Sequence, residues 1–227
     1  MKYGESAFDI LYLIFAVASG LLILRKAGER GGRIGKYMGF AALILGCGDA
    51  FHLIPRVLNY FVDGDFTAAL GIGKLITSIS MTVFYMLLYY IWMGYDRMRE
   101  KKHLTMFLWM LLIIRIALCL LPQNGWMENS TDMGRGMIRN IPFILLGAAV
   151  CILYFQKRKE SRVFRCFWLY ILLSFLFYIP VAVAAGLLPA LGMLMLPKTI
   201  CYILMITVFL RSMKQGDGPF GSRKQGE

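Results

Sequence analysis

Seven continuously apolar stretches follow one another along this chain, at roughly residues 7–25, 37–61, 67–95, 103–122, 137–156, 163–187 and 190–211, with short polar linkers between them. Crossing the hydrocarbon layer as an α-helix takes about 17–25 residues, and every stretch reaches that length. Lipid offers no partner to a backbone amide, so a spanning segment must satisfy its own groups as a helix or join a closed barrel. The stretches show none of the in–out alternation of barrel strands. Composition closes the soluble alternative: 59% of the 227 residues are hydrophobic and 17% charged. A soluble domain of this size has too little interior to hide that surface, and a disordered chain would not carry it.

The reading is an all-α, polytopic membrane helix bundle of seven transmembrane helices. It forms one domain over residues 1–212, and residues 213–227 are expected to be a disordered cytoplasmic tail. The second and third stretches exceed the minimum and are expected to tilt or to project into water. Gly186, Pro189 and Gly192 interrupt the last two, which predicts a tight hairpin.

Cations set the orientation. Eighteen of the 25 Lys and Arg residues lie in the linkers after spans one, three and five and in the tail. Only Lys2, Arg135 and Arg139 are expected on the other side, and four lie within spans. Positive charge marks the cytoplasmic side, so the N-terminus is outside and the C-terminus inside. Ala16-Val17-Ala18 has the small-residue spacing of a cleavage site, but no basic region precedes it and a cation cluster follows the apolar run. The first span is therefore expected to be retained.

The net charge of +12 is divided among short juxtamembrane loops. There it sorts topology and meets anionic headgroups, so membrane lipids are the expected partners and nucleic acid is not. No protein partner is legible. The location this implies is the inner membrane of a bacterial cell, crossed several times. All five cysteines lie within or at the edge of spans, without metal-ligand spacing. No disulfide, metal or cofactor is expected.

Ionisable groups inside spans carry the functional information, because each costs about 2.5–3.5 kcal/mol at mid-bilayer. They are Asp49, His52 and Arg56 on span two, Lys74 on span three, Arg115 on span four and Lys198 on span seven. With this topology all six fall between the midplane and the outer third. Asp49, His52 and Arg56 share one helical face, and Tyr85, Tyr178 and Tyr202 lie on polar stripes of spans three, six and seven. These faces are expected to turn from lipid and line one cavity, with Pro55, Pro180 and Pro197 loosening backbone near the same level.

Four intramembrane cations against one carboxylate make that cavity net positive. The expectation is an outward-facing site that binds, senses or transports a small anionic solute or a lipid headgroup. Arg56, Lys74, Arg115 and Lys198 would attract the anion, Asp49 and His52 tune protonation, and Tyr85, Tyr178 and Tyr202 form walls. The bland alternative has each cation reaching separately to the interface. A second alternative is a lipid-modifying enzyme with Asp49 and His52 as acid and base. A third is an assembly subunit with no ligand. Seven spans with a lysine in the last superficially resemble the microbial rhodopsins. The resemblance implies retinal on Lys198, but span three carries Lys74 and no carboxylate counter-ion, so retinal is not expected.

Overall fold

The computed structural model describes residues 2–30, 32–96, 102–129, 133–184 and 189–214. Among the described residues seven α-helices make up the fold: α1 (Lys2–Arg30), α2 (Arg33–Phe61), α3 (Thr67–Asp96), α4 (Lys102–Leu120), α5 (Met133–Gln156), α6 (Phe167–Ala184) and α7 (Met195–Lys214). Short 3₁₀ turns at Pro122–Asn124 and Pro189–Leu194 complete them, and no strand occurs among the described residues. Six of the helices are long and apolar enough to cross a membrane. The exception is α6, whose 18 residues span about 27 Å, just short of the hydrocarbon thickness of about 30 Å.

Short connections make sequence neighbours pack as spatial neighbours. Each helix lies against the next, α7 returns to α1, and α3 also reaches α5. The linkers that hold most of the basic residues all fall at one end, where α7 finishes. The N-terminus lies at the opposite end, as the charge-sorted topology requires.

Several boundaries differ from the sequence reading. Helix α1 starts at Lys2, which brings Glu5 and Ser6 into the bundle beside Asp9. Helix α5 starts at Met133, four residues earlier than expected, and Arg139, counted with the outer-side cations, lies within it. Met213 and Lys214, expected in the tail, close α7, and Met213 is buried against Gly35 of α2. The rest of the expected disordered tail lies outside the described residues. So do Gly186 of the expected hairpin and Arg97, Arg99 and Lys101 of the basic linker.

Where helices meet, small residues let backbones approach, the usual device where lipid removes the hydrophobic drive for association. Gly73 of α3 is the tightest instance bearing on function. A Cβ there would run into the Phe51 carbonyl and the His52 Cα of α2. Backbone cannot step aside as a side chain can. Gly73→Ala is therefore expected to cost about 1–3 kcal/mol, read as a lowered unfolding temperature in detergent. An unchanged temperature would mean that α2 and α3 slide apart freely.

The outer faces of the helices are apolar, as lipid contact allows; Met106, Trp109, Met110 and Ile113 line that side of α4. The interior holds an aromatic layer in which Phe84, Tyr85, Phe143, Phe175 and Tyr202 meet edge-on or tilted. Above it, toward the N-terminal end, the interior becomes polar.

Candidate functional site

The polar end encloses a cavity of about 420 Å³. Helices α2 to α7 and the loop before α5 all contribute to its wall. Helix α2 supplies His52, α3 supplies Lys74, Thr77 and Ser78, and α4 supplies Arg115. The loop before α5 supplies Asn129, α5 supplies Arg139, Asn140 and Phe143, α6 supplies Tyr178 and α7 supplies Lys198. Four of these are cations, and none of the described lining residues is a carboxylate.

The cations are held differently. Lys74 donates to Asn129 Oδ1 at 2.7 Å. Arg115, only 1% exposed, donates to the backbone carbonyl of Arg139 and lies over the Phe143 ring at 5.5 Å. Pro142 sits next to this carbonyl and removes a helical amide one turn on, which helps free backbone acceptors there. The Arg139 guanidinium stacks on Trp126 at 4.2 Å and donates to Asn124 Oδ1 at 3.3 Å.

Lys198, 6% exposed, carries its ammonium over the rings of Tyr178 at 4.7 Å and Tyr202 at 5.4 Å. Such contacts are worth about 0.5–2 kcal/mol, but they are not hydrogen bonds. Among the described residues Lys198 has no hydrogen-bond or ion-pair partner. The Nε atoms of Arg115 and Arg139 and Nδ1 of His52 are likewise buried without an acceptor or donor.

Of the nine residues singled out from the sequence, five line the cavity: His52, Lys74, Arg115, Tyr178 and Lys198. Asp49 does not. It turns to α1 and accepts a 2.7 Å hydrogen bond from Tyr12, although it remains within electrostatic range of Lys198. Arg56 pairs with Glu5 of α1, which Tyr60 also contacts at 3.4 Å, so its charge is spent away from the cavity. Tyr85 and Tyr202 lie in the aromatic layer beneath; Tyr85 shares a 3.0 Å hydrogen bond with Ser174. Asp49 and His52, although i and i+3, thus face different neighbours and form no hydrogen bond with each other.

Sequence reasoning missed Arg139, Asn140 and Asn129. Arg139 was counted with the outer-side cations although it falls within the expected span of 137–156. The adjacent Arg139-Asn140 pair facing an apolar run was the available signal. Glu5 lay ahead of the expected first span and Asp9, inside it, was passed over; both raise the number of carboxylates at this end of the bundle.

The loop before α5 closes one side of the site. The Asn124 side-chain amide donates to the carbonyls of Leu118, Cys119 and Leu121 at 2.8, 3.2 and 2.9 Å, capping the end of α4. The Trp126 indole adds a 2.8 Å bond to Cys119. Trp126 is therefore folded inward under Arg139. Asn124→Ala would orphan several helix-end acceptors at once. It is expected to cost about 1–2 kcal/mol and to speed amide exchange at 122–129. Unaltered exchange would show the loop held by other contacts.

Among the described residues no three metal-ligating side chains come together. No known protein family, curated protein or solved structure matches this chain. Fold and site define a multi-pass membrane protein whose helical bundle encloses a polar cavity at the N-terminal end.

Proposed function

We propose that this protein binds an anionic solute or lipid-like head in its cationic cavity, from the outer side of a cell membrane of bacterial type. One observation carries the reading. Lys74, Arg115, Arg139 and Lys198 share one hollow without a carboxylate among the described lining residues. Had the cations been spaced around the perimeter, each would reach water alone. Held together and desolvated, they repel one another, and an anion removes that cost.

The walls divide the work. Arg115 is anchored through the Arg139 carbonyl and positions the α4–α5 seam. Lys74 is held toward the loop by Asn129, and Lys198 is presented without a partner between two tyrosines. The aromatic layer below closes the cavity toward the cytoplasmic side, so recognition takes place at the outer end. Whether the bound solute is sensed or carried onward depends on that layer opening. The lipid-modifying alternative is disfavoured because Asp49 is engaged with Tyr12 and not with His52.

The test is thermal stabilisation of the purified protein by a panel of anions in uncharged detergent. Stabilisation is expected for the wild type and is expected to weaken in Lys74→Ala. If no anion raises the unfolding temperature, the proposal fails.

A further inference from the structure

Given an anion in the cavity, a premise taken from the proposed function, the charge count and the unused donors narrow its chemical class. Lys74 lies within electrostatic range of Arg139 and Arg56, both of its own sign. Arg139 lies within range of Arg115. Asp49, engaged with Tyr12, reaches only Lys198 among the four lining cations. Three positive charges therefore crowd the α3, α4 and α5 walls with no counter-charge among the described lining residues. Three donors are left open in the cavity, Nε of Arg115, Nε of Arg139 and the Lys198 ammonium, beside the unpartnered Nδ1 of His52. Arginine and lysine carry no acceptor at all.

A ligand that satisfies this set accepts hydrogen bonds on several oxygens and carries more than one negative charge. A monoanion leaves at least two of the three crowded cations uncompensated. Guanidinium groups match the geometry of tetrahedral oxyanions through paired N–H bonds, and lysine adds a point charge. Ser78, Thr77 and Asn140 stand beside the cations, where hydroxyls next to the charged head would meet them. We infer that the cavity receives a phosphomonoester dianion, as the head of a single-chain lipid or as a small soluble phosphate ester.

The experiment titrates the full chain, in uncharged detergent, with glycerol phosphate, octyl phosphate and octyl sulfonate. It is run near pH 7.5 and pH 5.5, because a phosphate monoester loses its second proton at about pH 6. Calorimetry gives the affinities. Octyl phosphate is expected to bind at least about tenfold tighter than octyl sulfonate at the higher pH. That advantage should shrink by about threefold at the lower pH, where roughly three quarters of the phosphate ester carries a single charge. The sulfonate keeps its charge throughout and so reports any change in the protein itself.

Arg139→Gln should bring octyl phosphate down to the sulfonate's affinity while hardly moving the sulfonate. The comparison of the two probes on the wild type does not depend on that variant folding. Tighter binding of octyl phosphate than glycerol phosphate supports a lipid head, and the reverse supports a soluble ester. Equal affinity for phosphate and sulfonate at pH 7.5 would overturn the dianion and leave an anion site. Binding of none of the three would overturn the anion-binding reading itself.

Discussion

Lys198→Met is expected to weaken the affinity for an anionic probe such as octyl phosphate by about 30-fold or more, without unfolding the protein. Truncating one member of a buried, hydrogen-bonded charge pair costs about 2–5 kcal/mol, and the lower figure already corresponds to that factor. Lys198 is the cation for which the largest effect is expected. It is almost fully buried, it lines the cavity, and no described residue accepts its hydrogen bonds. Methionine keeps the length of the stem, and its sulfur packs favourably against the Tyr178 and Tyr202 rings. A monodisperse but somewhat less stable variant, because Asp49 loses the positive charge that Lys198 sets against it, with lost binding is the anticipated outcome. Retained affinity in calorimetry would show that the anion is held elsewhere.

Asp49→Leu is expected to be the more damaging change to stability, by about 3–5 kcal/mol. Two effects compete. Leucine inserts into lipid more easily than aspartate, by a few kcal/mol on insertion scales, so expression and insertion should not suffer. The folded bundle, however, loses the acceptor of the Tyr12 hydroxyl and the nearest negative charge to Lys198. Hydrogen bonds between membrane helices average only about 0.6 kcal/mol. The larger loss is therefore the charge, because it leaves a buried lysine uncompensated.

A double substitution separates these contributions. Asp49→Leu with Lys198→Met should be more stable than the sum of the two single changes implies, by about 1–3 kcal/mol. Unfolding in mixed micelles of rising denaturing-detergent content measures it. Strict additivity would mean that Asp49 and Lys198 do not sense each other.

Three of the four lining cations were legible because polar groups in apolar spans are conspicuous. His52, Lys74, Arg115, Tyr178 and Lys198 were found by residue type and depth alone. What misled the reading was rotation about the helix axis. Asp49, His52 and Arg56 share a stripe in projection, yet a few tens of degrees decide whether a side chain meets α1 or the cavity. Glu5, which captures Arg56, belongs to a helix start that hydropathy alone placed too late, while Tyr12, the partner of Asp49, and Asp9 beside it lay inside the expected span with nothing in the sequence to pair them.

From the residues alone came the membrane-spanning class, the seven helices and the clustering of buried charges toward the N-terminal end of the bundle. Each of these comes from transfer between water and lipid, which acts on one segment at a time. Tertiary structure decided which cations share a hollow, that Arg139 joins them, and that Arg56 is neutralised by Glu5. Those outcomes depend on how helices far apart in sequence turn and pack against one another, and no single segment encodes that.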